Sequence, residues 1–340
     1  MTYKPVLGIL LGDATGVGPE IVAKLAVADF FARYCRPVII GDVRVLERGL
    51  KIINGQAPYY LIKDVSEADW DKGLPVLDQH NQNPEEIPLG KINASCGQAS
   101  LDMLKTAVEL YQAGQIEGFC FVPFNKAAML ESGCQFESEH YYLAHLFHNE
   151  EPFGEINVVG EVWACRTTSH IPICEVSQAL SVDRILRAIR LANSSLRQTG
   201  IKEPRIGVAA LNPHCGEGGR CGTEEIKIIG PAIARAQEMG IKAEGPFPSD
   251  ILFIKAFKGQ FDGVVTMYHD QGQIALKLKG FDEGITIAGG QPAPIATCAH
   301  GTAYDIAGKG IVRTTAFENA VKMVSKMAAH LAAVKAAAGK

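Results

Sequence analysis

The 340-residue chain is 47% hydrophobic and 21% charged, with a formal net charge of −4. This composition is typical of a globular enzyme and is long enough for two domains. It has no dense Lys/Arg block and no apolar run of the roughly 18 residues that a membrane helix needs, so we expect neither nucleic acid nor a membrane as partner.

The cysteines and the N-terminus indicate the cellular compartment in which we expect the protein. Nine cysteines, an odd number without a Cys-x-x-Cys pair, favour a reducing environment. The first residues lead directly into a strand-like run and lack the apolar region of a signal peptide. We therefore expect a cytoplasmic protein.

The first predicted element is a buried strand over the apolar run Val6–Leu11. A Gly-rich turn follows, in which Pro19 and Glu20 suit the first turn of a helix. Such a turn can hold an anion on free backbone N–H groups. Its spacing matches neither Gly-x-Gly-x-x-Gly nor a P-loop, so a plain strand-to-helix turn is an equal alternative.

Apolar runs and amphipathic segments alternate further along the chain. Asp42 is a candidate helix cap, and residues 95–113 are predicted to form a long amphipathic helix. The further predicted strands are Pro37–Gly41, Tyr59–Lys63, Pro75–Leu77 and Gly118–Val122.

Polar residues follow the strand that ends at Val122. Asn125 and Lys126 stand at its end, where Lys126 is a candidate for proton transfer. The alternative is a solvated lysine that starts a helix. The next predicted helix, Glu139–His148, carries three histidines that we assign to a surface face: His140, His145 and His148.

The central part of the chain continues the alternation. Ile156–Val159 and Val162–Thr168 suggest a hairpin at a sheet edge, and Ser181 is a candidate cap for a helix to about Gln198. Alternating strands and helices indicate an α/β protein with a largely parallel sheet.

Three strand-like runs each end in a histidine. The histidines are His170, His214 and His269, and each stands in a polar or Gly-rich turn. Ligands of open α/β sheets bind beyond the carboxyl ends of strands, and three histidines with an open position form a catalytic zinc pattern. Asp270 can orient an imidazole or act as a base. The alternative is that all three are hydrogen-bonded structural residues.

Five motifs in chain order carry a resemblance to a known family. The sequence resembles the PdxA family over nearly its whole length, through the runs Gly-Asp-Ala-Thr-Gly-Val-Gly-Pro-Glu, Thr-Thr-Ser-His-Ile-Pro, Leu-Asn-Pro-His-Cys-Gly-Glu-Gly-Gly, Met-Tyr-His-Asp-Gln-Gly and Ala-His-Gly-Thr-Ala-Tyr-Asp-Ile-Ala-Gly-Lys-Gly.

The resemblance implies a fold and a set of cofactors. The fold is isocitrate/isopropylmalate-dehydrogenase-like, with two α/β/α domains and the active site in the cleft between them. The cofactors are NAD, with NADP as an alternative, and a divalent metal, first zinc and otherwise magnesium, manganese or cobalt. The implied metal ligands are His170, His214 and His269, one of them from the second subunit of a homodimer.

The same resemblance assigns the nucleotide contacts and the domains. The run from His300 through Gly301 and Thr302 to Ala303 is similar to the adenosine-binding turn of isopropylmalate dehydrogenases. Two further implied cofactor contacts are Asp305 and Asn212. We expect one domain from residues 1–128 and 300–340, and a second, with the metal histidines and dimer contacts, from 129–299.

The sequence departs from the family at the expected substrate contacts. The family's Gly-His-Thr-Glu motif falls at Ser138–Tyr141 and is absent, which leaves Glu139 and His140 at that place. The family's Asn falls at Thr286 and its Arg at Ile295, whereas its Lys is retained as Lys277. Loss of an Arg removes a bidentate phosphate partner, which argues against a phosphorylated hydroxy amino acid as substrate.

The expected activity is an NAD-linked, metal-dependent oxidation of a hydroxy acid, with decarboxylation of the resulting β-keto acid. Asp270 or Lys126 would transfer the proton, Lys277 and Asn125 would position the substrate, and Asp13 would line the cleft. The alternatives are a dehydrogenase of cis-dihydrodiol carboxylates of the terephthalate-diol type and a non-catalytic small-molecule binder.

Overall fold

The computed structural model describes residues 3–280 and 282–338. The chain divides into two compact units, of which the first contains residues 1–150 and 291–340 and the second residues 151–290. These bounds differ from the predicted ones, since residues 129–150 and 291–299 belong to the first unit.

The first unit is built on six strands in the order β3-β4-β2-β1-β5-β12. Each neighbouring pair is parallel, which confirms the parallel sheet expected from the alternation of elements. The strands are β1 (Val6–Leu10), β2 (Arg36–Gly41), β3 (Tyr59–Ile62), β4 (Leu74–Asp78), β5 (Gly118–Phe121) and β12 (Ile295–Cys298).

Two helices of the first unit begin at a capping side chain that stands out in the sequence. Asp42 accepts a hydrogen bond from the Arg44 backbone N–H, as predicted, and Asn93 caps the long helix in the same way. The helices are α1 (Gly18–Val27), α2 (Phe31–Tyr34), α3 (Val43–Ile52), α4 (Ala94–Gln112), α5 (Lys126–Glu131), α6 (Glu139–Leu146) and α12 (Thr315–Ala338).

Two contacts explain why the first unit extends beyond its predicted bounds. Helix α6 packs against α4, and β12 pairs in parallel with β5, so that Ile295 lies opposite Phe119. Sequence pattern alone carries no information about such pairings between distant segments. The chain therefore passes from the first unit to the second after residue 150, about twenty residues later than predicted.

The surface assignment of the α6 histidines is wrong for one of the three. His140 is only 6% exposed, whereas His145 and His148 are exposed. His140 shares its helix face with Leu143 and Ala144, three and four residues on, and both are buried. This face packs inward and takes His140 with it.

The second unit has six strands in the order β11-β6-β7-β10-β8-β9. The predicted hairpin of β6 and β7 is confirmed, with Asn157 opposite Ala164, but β6 lies between β11 and β7 rather than at an edge. The strands are β6 (Gly154–Val159), β7 (Val162–Arg166), β8 (Arg205–Ala209), β9 (Lys242–Phe247), β10 (Gly263–Thr266) and β11 (Ile285–Gly289).

Strand β6 is antiparallel to both neighbours, whereas β7, β10, β8 and β9 run parallel. Helix α11 starts at His269 itself. The helices are α7 (Val176–Ala179), α8 (Val182–Arg197), α9 (Gly230–Glu238), α10 (Ser249–Phe257) and α11 (His269–Gly280).

None of the helices within residues 3–280 and 282–338 combines the length and apolar character that a membrane span requires.

The cysteines are all free thiols. Burial raises the pKa of the Cys35 thiol to about 12, and the same cause raises the pKa of Cys165 to about 12. These two thiols are therefore core residues, in keeping with the apolar runs that contain them.

Candidate active site

The three predicted histidines follow three adjacent strands of the second unit. Strands β7, β10 and β8 are neighbours in that order and run parallel, so their carboxyl ends lie at one edge of the sheet. His170 follows β7, His269 follows β10 and His214 follows β8. The expectation that the fold brings these strand ends together is confirmed.

Backbone hydrogen bonds continue beyond the ends of β7 and β10. The Thr167 N–H donates to the Thr266 carbonyl at 2.8 Å, and the Thr168 N–H donates to the Met267 carbonyl at 3.1 Å. This extension carries the two loops side by side. The rings of His170 and His269 consequently lie close together, with their centroids 5.5 Å apart and their planes tilted by 44°.

The neighbouring carboxylate fixes one nitrogen of the His269 ring. Nδ1 of His269 lies 2.7 Å from Oδ1 of Asp270, which is itself exposed. A carboxylate on one ring nitrogen directs the other, Nε2, toward a ligand. This geometry fits the orienting role for Asp270 and occupies one of its two carboxylate oxygens.

Gln271 joins the end of β10 to the end of β8. Its Oε1 accepts from the Met267 N–H at 2.7 Å, and its Nε2 donates to the Ala210 carbonyl at 2.7 Å. Both partners lie just beyond their strands. The amide therefore couples the loop that carries His269 to the loop that leads to His214.

His214 opens a left-handed turn. Residues 214–218 all have positive φ, from 46° to 76°, and three of them are not glycine. Left-handed backbone costs roughly 1–2 kcal/mol for each such residue, and strain of this kind is concentrated at functional sites. Gly216 is required here, since an added Cβ would lie 2.8 Å from the Glu225 carboxylate.

A buried carboxylate supports this turn. Oε1 of Glu225 accepts from the backbone N–H groups of Leu211 and Asn212, at 2.9 and 2.7 Å. The Asn212 side-chain amide donates to Glu224 at 2.7 Å and to Glu225 at 3.0 Å. Asn212, predicted as a cofactor contact, thus has both amide hydrogens directed at these two glutamates.

Among the described residues, one group of His, Cys, Asp or Glu ligand atoms lies within the mutual 4.8 Å that a metal ion needs: Asp42, Asp78 and His80. The Asp42 oxygens already accept from the Arg44 guanidinium at 2.9 and 2.7 Å and from the Gln82 N–H at 2.8 Å. Burial favours a higher pKa for Asp42, but the hydrogen bonds from Arg44 and Gln82 outweigh it and lower the pKa. Within this group, Asp42 therefore serves as the cap of α3.

His170, His214 and His269 do not form such a group within one chain. Their chemistry nevertheless fits a divalent metal: His170 and His214 are exposed, and His269 is 34% exposed with Nδ1 held by a carboxylate.

The predicted adenosine-binding turn lies in the first unit, against the start of α1. The Val17 N–H donates to the Thr302 carbonyl at 3.0 Å, and Ala303 adopts a left-handed φ of 46°. His300 is half-buried, with Nδ1 2.9 Å from the Gly301 carbonyl, and Asp305 is exposed.

Two buried carboxylates hold this turn and the loop after it. Asp13 accepts from the Thr15 N–H at 2.9 Å and from the Tyr304 hydroxyl at 2.5 Å. Glu20 accepts from the N–H groups of Gly308 at 2.6 Å and Gly310 at 2.8 Å. Asp13, predicted as a substrate contact, is 1% exposed. Burial, followed by the hydrogen bond to Asp13, raises the pKa of Tyr304.

The predicted substrate residues on α6 contain buried polar atoms without partners. Glu139 Oε2 and His140 Nδ1 have no hydrogen-bond partner, and their side chains are 14% and 8% exposed. The two side chains approach each other to 4.0 Å. Buried polar groups are nearly always paired, so this pair has capacity for a ligand donor or acceptor.

The remaining predicted residues occupy varied settings. Oδ1 of Asn125 caps α5 by accepting from the Ala128 N–H at 2.9 Å, and Lys126 is the exposed first residue of that helix. Lys277 is exposed on α11. Thr286 is 4% exposed and Ile295 is fully buried.

Sequence reasoning missed a polar network beside Thr286. The Thr286 hydroxyl accepts from the Asn157 amide at 3.1 Å, and Asn157 Oδ1 accepts from Arg166 at 2.8 Å. An arginine at the end of an otherwise apolar strand was the available signal.

Known proteins match the chain over most of its length. The family model described as pyridoxal phosphate biosynthetic protein PdxA matches residues 33–324. The putative 4-hydroxythreonine-4-phosphate dehydrogenase 2 of Pseudomonas aeruginosa is 41% identical over 332 residues, covering 96% of this chain and 98% of that protein. D-threonate 4-phosphate dehydrogenase of Cupriavidus necator is 36% identical, covering 97% and 99%.

Solved structures give the same result. A 4-hydroxythreonine-4-phosphate dehydrogenase from Burkholderia phymatum is 38% identical with a TM-score of 0.83, covering 96% of this chain and 99% of that one. A terephthalate 1,2-cis-dihydrodiol dehydrogenase from Burkholderia xenovorans is 26% identical with a TM-score of 0.66, covering 95% and 98%. The fold is thus the mixed α/β fold of these dehydrogenases, related to the isocitrate/isopropylmalate-dehydrogenase-like fold, and the chain belongs to the PdxA family.

Proposed function

We propose that this protein is a metal-dependent, NAD-linked dehydrogenase that oxidises a secondary alcohol of a phosphorylated hydroxy acid. Relatives at 36–41% identity bear the names of dehydrogenases of 4-hydroxythreonine 4-phosphate and of D-threonate 4-phosphate. Both substrates are four-carbon acids with a hydroxyl group β to the carboxylate and a terminal phosphate.

The observation that carries the proposal is the pair of adjacent imidazoles, His170 and His269, with Nδ1 of His269 held by Asp270. His214 would complete the set, with one of the three ligands from the second subunit of a homodimer. We favour zinc, with magnesium, manganese or cobalt as alternatives. When bound, the metal polarises the substrate hydroxyl and lowers its pKa.

The proposed dimer would cover apolar side chains of the second unit. Ile274 and Leu278, four residues apart on α11, are 59% and 85% exposed. On α10, Ile251 and Ile254 are 42% and 51% exposed. Apolar faces of this kind, on elements next to the histidines, suit an interface that brings a ligand from a partner.

We assign proton transfer to Lys126. Asp270 is the alternative, through Oδ2, since Oδ1 lies against His269. Asn125 directs Oδ1 at its own helix, which leaves its amide N–H groups for the substrate, and Lys277 supplies a second cation. Bound NAD, or NADP, would supply the hydride acceptor, and the base would take the alcohol proton. The resulting β-keto acid would then lose its carboxylate as CO₂, and the enolate that remains would take up a proton to form a ketone.

Glu139 and His140 would contact the substrate at carbon 2. Their unpartnered atoms require a ligand group that can donate or accept a hydrogen bond. D-threonate 4-phosphate carries a hydroxyl group there and 4-phosphohydroxy-L-threonine an ammonium group. Either group can satisfy a buried carboxylate oxygen, so the two esters are the first substrates to compare.

The second candidate is a cis-dihydrodiol carboxylate. Threonine at position 286 and isoleucine at 295, where the family has its substrate Asn and Arg, favour an unphosphorylated substrate. The terephthalate diol enzyme has the same fold, but at 26% identity and a TM-score of 0.66 it resembles this chain less than the phosphate-ester dehydrogenase does.

The test is NADH formation by zinc-loaded protein on three substrates in parallel: D-threonate 4-phosphate, 4-phosphohydroxy-L-threonine and the terephthalate cis-dihydrodiol. Turnover of a phosphate ester, lost with a chelator and restored by zinc, would support the proposal. Turnover of the diol alone would replace it with the second candidate. Protein that retains no divalent metal and whose melting temperature does not respond to NAD would be a non-catalytic binder.

A further inference from the structure

Arg166, the last residue of β7, is a buried cation with three different partners. Its side chain is only 9% exposed. Nε donates to the Ser169 hydroxyl at 3.0 Å, Nη1 donates to Asn157 Oδ1 at 2.8 Å, and Nη2 forms an ion pair with Glu155. Burying a guanidinium is costly, and a buried ion pair often adds little net stability, so a role beyond stability is worth seeking.

The first partner, Ser169, is the neighbour of the candidate metal ligand His170. Ser169 directly precedes His170, whose own side chain is exposed. The bond from Arg166 to the Ser169 hydroxyl therefore fixes the loop on its interior side, immediately before the imidazole.

The second partner, Asn157, is connected through Gln273 to the helix that carries the candidate metal ligand His269. Asn157 Oδ1 also accepts from the Gln273 amide at 2.5 Å. Gln273 lies four residues after His269 on α11, which places the two on the same helix face, one turn apart. Arg166, Asn157, Gln273 and His269 line one small recess.

We propose that Arg166 is a positioning residue, which sets the separation of His170 and His269 and thereby the affinity of the site for a divalent metal. One planar group holds both loops: the β7 loop through Ser169, and α11 through Asn157 and Gln273. The rigid fork of a guanidinium can fix two directions at once, which a lysine ammonium cannot. This inference rests on the proposed function, because it assumes that these histidines bind the metal.

The test compares metal binding by the wild type with that by Arg166→Met and Arg166→Lys. Zinc affinity is measured by competition with a chromophoric chelator, and the Co²⁺-loaded protein gives an absorption spectrum that reports ligand geometry. We expect both variants to bind zinc about 10- to 100-fold more weakly, the range for loss of a group that orients metal ligands, with an altered Co²⁺ spectrum. NAD affinity should stay unchanged.

Arg205→Met is the matched control. Arg205 begins β8, at the opposite end of the strands from the histidines, and pairs with Asp262 at 2.7 Å. The Arg205→Met variant thus removes an arginine–carboxylate pair from the same unit without changing the hydrogen bonds of Arg166. Zinc affinity in this variant should equal that of the wild type.

Two smaller changes keep the test decisive if Arg166→Met does not fold. Ser169→Ala cuts only the link toward His170, and Gln273→Leu cuts only the link toward His269. Each should weaken zinc binding by a smaller factor. Wild-type zinc affinity in both, or in Arg166→Lys, would overturn the inference. A wild-type protein that binds no divalent metal would instead overturn the proposed function, so the two failures are distinguishable.

Discussion

Polar side chains are arranged in opposite ways at two places in this protein. After β7, β10 and β8, the imidazoles are partly or fully exposed, and their hydrogen bonds engage one nitrogen at most. At the start of α1, Asp13 and Glu20 are 1% exposed, and all four of their carboxylate oxygens accept hydrogen bonds from the same unit. Exposed groups with free capacity can bind a ligand, whereas buried, saturated groups hold backbone in place.

The backbone shows the same contrast. The turn that presents His214 has six consecutive residues with positive φ, three of them not glycine, whereas the loop held by Asp13 and Glu20 has Ala303 as its one non-glycine residue with positive φ. Strain is tolerated where surrounding contacts enforce it, and Glu225 supplies those contacts at His214. We therefore propose that the sheet edge with His170, His214 and His269, the histidine edge, is the reactive region, and that the α1 region is scaffold for the predicted nucleotide turn.

The largest effect should follow from His269→Ala. Removal of the imidazole should lower kcat/KM for the phosphate ester by about 100-fold or more, because a metal ligand is lost. The melting temperature should stay close to that of the wild type, since the side chain is 34% exposed. NADH formation and a thermal melt check both expectations.

His145→Ala is the control for this change, because His145 is an exposed histidine on α6. It should retain wild-type kinetics. If His269→Ala were as active as His145→Ala, the histidine edge would not be the metal site and the comparison above would fail.

Glu20→Gln should act on stability instead. The amide NH₂ would face one of the two glycine N–H donors that Glu20 now satisfies, which leaves a partly buried donor unpaired. We expect a loss of about 2–3 kcal/mol in the free energy of unfolding and a higher KM for NAD, with zinc affinity unchanged. Urea unfolding and NAD titration measure these effects.

Glu131→Gln, at an exposed glutamate of the same unit, should leave both quantities unchanged. Weakened zinc binding in Glu20→Gln would show that the two regions are not separate in function.

Much of this comparison could be predicted from the sequence, because it depends on local pattern. Apolar runs such as Val6–Leu11 predicted strands, and the three histidines could be placed at one edge because parallel strands end together. Asp42 as a cap and Glu20 in a first helical turn follow from their positions at helix starts.

What could not be predicted depends on contacts between distant segments. Glu20 accepts hydrogen bonds from Gly308 and Gly310, which lie 288 and 290 positions later in the sequence. His140 is buried because its helix face packs inward. Arg166 gives no sign in the sequence that its partners are Asn157 and Ser169. Such pairings follow from strand order and helix docking, which periodicity does not encode.

Asp42→Asn is the smallest of the expected effects, and it tests whether the group of Asp42, Asp78 and His80 is a metal site. The asparagine keeps the cap acceptor but loses the charge that binds Arg44. We expect about 1–2 kcal/mol less stability at pH 7 and unchanged zinc affinity. Asp183→Asn is the control, since it removes an exposed ion pair with Arg235 and should change little.

The pH dependence of Asp42→Asn follows from the sign of the Asp42 shift. The folded-state pKa of Asp42 lies below its ordinary value of about 3.9, so its stabilisation is fully present above that value and is lost as the pH falls through the folded pKa. The stability difference between wild type and Asp42→Asn should therefore be constant from pH 7 to about 5 and shrink below about 4. A difference that persists unchanged at pH 3 would mean that the lost contacts are independent of charge. A parallel loss of zinc affinity would instead make this group, and not the histidine edge, the place where the protein binds its metal.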